Sequence, residues 1–316
     1  LKEKAGSAIL WKLITPKHEE ITKTKKRSLQ EKCMEAVAEE TYPGLSEEQR
    51  AHFDTHGYIM IENAVEPVGL ERVQEAFHRA ETEGRAAWEA MLASGEFKGG
   101  YGNSENAHNI RPNFDWDTTI LDLANNPKVI PLVSEVVGMD YQAMEMLYHN
   151  HHAGTKAHTG WHRDWPPWKH PQFVLKVKCF YAVEDIGEDQ GCFSLVPGTQ
   201  NNPEGPPRDT YTRENLTDMP GHKKMTMKAG DAIIWETTCW HTGMANTSDR
   251  DRKLVIFGYM PFFIKKWNAE PPSSALVEWA DTPLKRQLMG IHAVNGRSVW
   301  DRTDVEYLPE HKPRIE

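Results

Sequence analysis

Long apolar runs are missing from this chain, and so is any excess of positive charge. No stretch approaches 18 consecutive apolar residues, so the sequence predicts no helical membrane span. The 37 Lys+Arg are outnumbered by 46 Asp+Glu, for a formal net charge of −9. A chain so charged repels phosphate backbones unless it gathers a local basic patch, which argues against a general nucleic-acid binder. Cysteine is scarce as well. Cys33, Cys179, Cys192 and Cys239 form no CxxC pair, and three fall in strand-like sequence. That pattern predicts reduced thiols in a cytosol-like compartment rather than a disulfide framework. No repeat of fixed period is visible, and the overall balance excludes collagen, coiled coil and wholesale disorder.

What is present is a 316-residue chain, 39% hydrophobic, with 11 Trp, long enough to bury a core without staples. Length alone suggests about two domains, although barrels can exceed this size as one unit. The N-terminus, LKEKAGSAILWKLITPK, has an apolar patch broken by Lys12 and no small-residue cleavage site, so it reads as a poor signal peptide. It begins with Leu, so the true start is expected to lie upstream. The final Arg314-Ile315-Glu316 is no peroxisomal address of the SKL type. The expectation is a soluble, cytoplasmic protein.

Residues 1–44 read as a charged arm with a TKTKKR run, the usual sign of a solvated segment. At 45 the texture changes. Ser46 caps a short helix, Gly57 stops it, and Tyr58–Glu62 reads as a strand. Leu70, Val73, Phe77 and Ala80 form a stripe at three- and four-residue steps, predicting a helix over 67–83. Asn126-Pro127 opens another helix that Gly138 ends. Strands are predicted at 141–148, 173–183, 192–196, 225–228, 231–235 and 254–260, with turn residues between them. Helices followed by short strands predict an α+β or all-β barrel with helices on one side. The tail, 266–316, holds one predicted helix near 275–289.

The densest chemistry is Trp161-His162-Arg163-Asp164-Trp165. A His-x-Asp pair offers two metal ligands from one strand end, because residues i and i+2 share a face. By itself the pair is weak, since about one chance match is expected in such a chain. His18-Glu19-Glu20, in the charged arm, is such a decoy. The pair gains weight from His241, far downstream after the turn and strand Gly230–Trp235. Two distant strands would have to converge, as a jelly-roll barrel permits. Two imidazoles and one carboxylate on one face of a metal suit non-haem Fe(II) oxygen chemistry. The competing reading makes His241 a hydrogen-bonded wall residue. Arg252, at the start of the next strand, could bind a dicarboxylic co-substrate through its planar guanidinium. Arg250 has the same strand parity, so alternation cannot separate the two.

These segments resemble the phytanoyl-CoA dioxygenase family of Fe(II)/2-oxoglutarate oxygenases from about residue 45 to 263. The resemblance is carried by LSEEQRAHFDTHGYIMIENAV, His162-Arg163-Asp164, FYAVEDIGEDQGCFSLVPGTQ and GDAIIWETTCWHTGMANTSDRDRKLVIFGYM. It implies a double-stranded β-helix (jelly-roll, cupin-like) core over 45–265 with buttressing helices, and a C-terminal extension, 266–316, packed on the same domain. It further implies that His162, Asp164 and His241 hold iron, that Arg252 binds the distal carboxylate of 2-oxoglutarate, and that Phe180 lies beside that co-substrate. The family often has a Ser two residues past the distal His. This chain has Gly243, so Thr242 or Thr199 is expected to compensate, or Arg252 to act alone. Lys176 and Lys178 share the Phe180 face and are alternative carboxylate partners. Pro197-Gly198-Thr199 matches a structural turn.

With O2, such an enzyme converts 2-oxoglutarate to succinate and carbon dioxide while oxidising a small organic molecule. Related halogenases have Ala or Gly in place of the carboxylate, so Asp164 implies oxidation without halide incorporation, most simply hydroxylation. No catalytic residue beyond the metal ligands is required. His149, His151, His152, His158 and His170 crowd the region without helical ligand spacing. Trp161, Trp165, Trp168, Trp235 and Trp240 flank the ligands and tilt the substrate toward a partly apolar molecule. The rivals are a metal-dependent hydrolase or lyase on the same barrel, and a barrel that binds a ligand without catalysis. Neither needs an arginine anchor for a co-substrate.

Overall fold

The structure, a computed structural model, describes residues 45–94, 104–111, 118–138, 141–264, 273–291, 293–294 and 297–298. The chain divides into a unit Leu1–Pro43 and a unit Gly44–Glu316. The expected arm at 1–44, with Cys33, the basic run and the His18 decoy, lies outside the described residues.

The second unit begins with helix α1 (Glu47–His56), whose start and stop are both written locally. Ser46 and Gln49 cap each other reciprocally, and Gly57 ends the helix at φ 78, donating its N–H to Phe53 O. Strand β1 (Tyr58–Ile61) follows, then the long helix α2 (Pro67–Ser94). That helix runs well past the 83 expected, because Ala, Glu, Arg, Met and Leu after the apolar stripe are all good helix formers. Strand β2 (Ala107–Ile110) and helices α3 (Thr119–Ala124) and α4 (Ile130–Val137) come next. Asn126-Pro127 does not open α4. The Asn126 carboxamide accepts from Lys128 N at 2.8 Å to make a turn, and the proline in the first turn of α4 is Pro131.

The remaining strands are β3 (Tyr141–His151), β4 (Val177–Ala182), β5 (Phe193–Val196), β6 (Lys223–Met225), β7 (Ala232–Glu236), β8 (Trp240–Gly243) and β9 (Arg252–Pro261). They form a six-stranded sheet in the order β1-β7-β4-β9-β3-β2 and a three-stranded sheet β6-β5-β8. Every pairing is antiparallel. The stretch from Thr155 to Asp164 joins the smaller sheet through bridges Thr155↔Asn246 and His162↔His241. From β3 onward the chain thus passes back and forth between the two sheets, except at the β5–β6 pair within the smaller one, which is the double-stranded β-helix. Strands β2 and β8 are only 4 residues long and carry too little apolar alternation to stand out in the sequence.

Cross-strand register defines what faces the interior. Phe180 lies opposite Ile233 and Ile256, and these pack with Trp235, Phe193, Leu195, Leu254, Leu147 and Met244 in one buried cluster. Each such side chain contributes roughly 1.5–3 kcal/mol by leaving water. The outer face of the larger sheet is covered by helices. Phe77 of α2 meets Tyr148 edge-on at 5.4 Å, and the Tyr181 and Tyr259 hydroxyls donate to Leu123 O and Ala124 O of α3, each at 3.0 Å. Behind these elements, the expected helix near 275–289 is two helices, α5 (Ser274–Trp279) and α6 (Pro283–Met289). Proline cannot continue the first, and Thr282 caps the second through Lys285 N. Gln287 of α6 donates to Tyr141 O of β3 at 3.2 Å. Short strands β10 (Ala293–Val294) and β11 (Arg297–Ser298) pair with each other.

Candidate functional site

Three ligand-type side chains converge at one end of the barrel. His162 and His241 exchange both main-chain hydrogen bonds at 3.0 Å, so two strands far apart in sequence are locked side by side. Asp164 N donates to Thr237 O at 3.0 Å, which fixes the third residue against the same turn. One ligand atom from each of His162, Asp164 and His241 lies within 4.8 Å of the others. Asp164 Oδ1 is 3.6 Å from His162 Nε2 and 3.7 Å from His241 Nε2. Each imidazole turns its other nitrogen to a main-chain carbonyl: His162 Nδ1 to Gly160 O and His241 Nδ1 to Cys239 O, both at 2.8 Å. Donation from Nδ1 sets the tautomer and leaves both Nε2 lone pairs aimed inward.

The charges of these groups suit a cation. Burial opposes the Asp164 carboxylate, but the Lys178 ammonium, with the neighbouring His162 and His241 rings, outweighs it and holds its pKa well below the usual range. Burial and the neighbouring His162 lower His241 to about 4, so it is a neutral imidazole near neutral pH. Two imidazole nitrogens and one carboxylate are a donor set that fits Fe(II).

The turn carrying His241 is held by a close approach that only glycine allows. Glu236 N donates to Gly57 O at 2.8 Å, and a Cβ on Gly57 would lie 2.4 Å from Cys239 Sγ. The C-cap of α1 therefore seats directly on the segment two residues before His241.

Arg252 opens β9 opposite His151 and is 5% exposed. Its Nη1 donates to Gly191 O at 2.7 Å, and its Nε has no hydrogen-bond partner among the described residues. No carboxylate pairs with it among them either. Burial lowers its pKa to about 10, so the guanidinium stays charged near neutral pH. The surrounding imidazoles cannot compensate. His149 is held well below its ordinary pKa, His151 at about 3 and His158 at about 4, in each case by burial first and then by Arg252 itself. A buried cation with an unpartnered donor and only neutral neighbours fits a dianionic co-substrate.

The structure separates the two arginines that parity could not. Arg250 is exposed and donates to Gln190 Oε1 at 3.0 Å. Gly243 stands beside the guanidinium, since a Cβ there would lie 3.6 Å from Arg252 Nη1. The hydroxyls of Thr242 and Thr199, the expected substitutes for the missing Ser, have other partners. Thr242 Oγ1 donates to Thr159 O at 2.8 Å, while Thr199 Oγ1 bonds Val196 O and accepts from Trp240 N. Both are engaged in holding the barrel, as strand alternation turns Thr242 away from the His241–Gly243 face.

Phe180 lies on the interior face, 5.1 Å from Phe193 and 5.5 Å from Trp235 between ring centroids. Trp235 in turn lies 4.2 Å from His241. Lys176 and Lys178 do share the Phe180 face, but they engage Glu145 and Asp164 rather than Arg252's end of the barrel. Sequence reasoning missed Glu145 and Gly191, and read Gly57 only as the stop of α1. The other histidines are spread out. His152 contacts His108 at 3.0 Å under α2, His158 meets Ser104 at 3.0 Å, and His170 stacks on Phe173. The only metal-type cluster among the described residues is the one above. Of the flanking tryptophans, Trp161 and Trp235 are core, whereas Trp165 and Trp168 are exposed.

A double-stranded β-helix bearing two histidines and one carboxylate on an open face is the framework of mononuclear non-haem iron oxygenases. The comparisons with known proteins agree. The profile of the family described as phytanoyl-CoA dioxygenase matches residues 53–254, and the chain belongs to that family of iron- and 2-oxoglutarate-dependent oxygenases. A probable phytanoyl-CoA dioxygenase of Caenorhabditis elegans is 24% identical over 241 residues, covering 68% of this chain and 75% of that protein. The peroxisomal phytanoyl-CoA dioxygenase of Bos taurus is 22% identical over 81% of this chain and 80% of its own. Among solved structures, HygX from Streptomyces hygroscopicus with nickel and 2-oxoglutarate bound superposes with a TM-score of 0.57. It is 19% identical and the match covers 72% of this chain and 91% of HygX, a likeness of fold.

Proposed function

We propose that this protein hydroxylates a small, partly apolar organic molecule, using Fe(II) held by His162, Asp164 and His241 and 2-oxoglutarate held by Arg252. The observation that carries the reading is the buried, unneutralised Arg252 within the same barrel as the His–Asp–His cluster. A hydrolase or a plain binding barrel gives that cation no task. When bound, iron and 2-oxoglutarate supply the oxidising chemistry, the co-substrate leaving as succinate and carbon dioxide.

The chain's own residues do the rest. His162 and His241 present Nε2 because main-chain carbonyls hold Nδ1. Arg252 offers a planar fork to a carboxylate, and Phe180 with Phe193 forms an apolar wall that excludes water. Retention of Asp164 supports hydroxylation over halogenation. No residue is needed as a general acid or base. Exposed Trp165, Trp168, Phe173, Phe262 and Phe263 follow Asp164 and the end of β9, and Phe173 meets Phe263 edge-on at 6.0 Å. These rings support a substrate with apolar surface. HygX has also been solved with nickel, 2-oxoglutarate and hygromycin B bound, which supports a small-molecule substrate here.

Among the described residues no helix is long and apolar enough to cross a membrane. Cys179, Cys192 and Cys239 are free and buried, which supports a reducing, cytoplasmic setting.

Turnover of 2-oxoglutarate to succinate with Fe(II) and O2, measured without added substrate, tests the reading. Slow succinate formation that vanishes in Asp164→Ala is the expected result. No succinate from the wild type, or equal succinate from the variant, contradicts it.

A further inference from the structure

Four charged side chains of alternating sign run in series along the barrel interior and end on a metal-ligand residue. Lys176 Nζ is paired with Glu145 Oε1. Lys178 Nζ lies 3.3 Å from Glu145 Oε2 and 2.7 Å from Asp164 Oδ2. The side chains of Lys176, Lys178 and Asp164 are only 3%, 13% and 10% exposed. Burying such a series is poor value for stability alone, since apolar replacements of similar volume are often neutral or better.

The backbone makes special room for it. The pairing of β3 with β9 slips between Ala143 and Glu145, a bulge that brings Glu145 opposite Gly258. A Cβ on Gly258 would fall 3.1 Å from Glu145 Oε2, so the glycine makes the space that the carboxylate fills. Bulges re-aim side chains beside active sites. Here the bulge and the glycine put a carboxylate where it can hold Lys178.

The two oxygens of Asp164 are thereby given different partners. Oδ1 faces both imidazoles, at 3.6 Å and 3.7 Å, and Oδ2 faces the ammonium. We propose that Lys178 is a positioning residue: its ammonium retains Asp164 Oδ2, so that only Oδ1 is presented to the metal. Glu145 and Lys176 keep the ammonium in place. A carboxylate binding through both oxygens would take up a position that the co-substrate needs, and Lys178 prevents this. The proposal deepens the reading of His162, Asp164 and His241 as ligands, and rests on it.

The alternative role for Lys178 is that of a counter-ion occupying the carboxylate until a metal displaces it. The two roles predict opposite signs. Losing a competing cation tightens metal binding, whereas losing an orienting group beside a ligand weakens it by about 10–100-fold.

The test is an anaerobic titration of the full chain with Co(II), whose visible d–d bands report coordination number. Wild type is compared with Lys178→Met, Lys178→Arg and Glu145→Gln, with circular dichroism as the check on folding. The proposal expects Lys178→Met to bind Co(II) about 10–100-fold more weakly with altered d–d bands. Lys178→Arg should restore most of the affinity and the spectrum, and Glu145→Gln should fall between. Equal or tighter binding by Lys178→Met with an unaltered spectrum overturns the proposal, as does a loss that Arg fails to rescue. If Lys178→Met does not fold, an unaltered Glu145→Gln overturns it instead. A wild type that binds no Co(II) defeats the ligand reading itself, a result distinct from all of these.

Discussion

Arg252→Met should weaken 2-oxoglutarate binding severely and cost the metal-free protein little stability. The guanidinium is buried, makes one hydrogen bond to Gly191 O, and has an Nε without a partner among the described residues. Its removal from the binding-competent site deletes two charge-assisted hydrogen bonds to a carboxylate, worth roughly 1.5–3 kcal/mol each. A loss of about 3 kcal/mol or more corresponds to a Kd raised about a hundredfold or more. In the metal-free protein the same change removes an unneutralised buried charge and fills its space with methylenes. Against this stands the lost bond from the charged Nη1 to Gly191 O, roughly 1.5–3 kcal/mol, which relief of the buried charge offsets. Net stability should then change by no more than about 1 kcal/mol, in either direction. The assay is an anaerobic 2-oxoglutarate titration in the presence of Fe(II), alongside thermal melting without ligands. Arg250→Met is the control, because that side chain is exposed and bonded to Gln190. Equal effects of the two substitutions on 2-oxoglutarate binding would refute the assignment of the anchor. A large loss of stability in Arg252→Met would refute the claim that the cation is poorly compensated.

Gly57→Ala should lower the melting temperature by several degrees and weaken metal binding, because the residue sits at φ 78 and its Cβ would lie 2.4 Å from Cys239 Sγ. A variant that melts and binds Co(II) like the wild type would show that the α1 cap does not position the His241 turn. Stability should also fall on acidification in two stages. His151 and His158 have folded pKa values lowered to about 3 and about 4, so between about pH 6.5 and 4 the unfolded chain binds protons that the folded one does not. Below about pH 4, protonation of Asp164 and Glu145, whose pKa values are lowered in the fold, removes further stability. Urea midpoints that stay flat from pH 7 to 5 in the metal-free protein would contradict the first stage.

Much of this architecture could be read from the chain, and the parts that could not have physical reasons. Helix α1 was legible because Ser46 and Gly57 are local signals that the backbone obeys. His162 and Asp164 were legible as a pair because strand parity is local, and His241 because its strand follows a recognisable glycine turn. Arg252 was chosen over Arg250 through the family resemblance, since parity could not separate them; burial at the start of β9, where pairing with β3 begins, now distinguishes the two. Glu145 was hidden by the bulge, since an extra residue inverts the alternation on which a reading of faces depends. Thr242 was expected beside Arg252, yet its hydroxyl is bonded to Thr159 O. Lys178 was correctly placed on the Phe180 face, but parity alone could not say which carboxylate it meets.

The most direct test of the central claim is the anaerobic addition of 2-oxoglutarate to the Fe(II)-loaded protein, watching for the weak visible charge-transfer band of the metal–keto acid chelate. The account predicts a saturable band in the wild type that is lost when His162 or Asp164 is replaced by Ala. No band in the wild type, or a band that survives both substitutions, would contradict it.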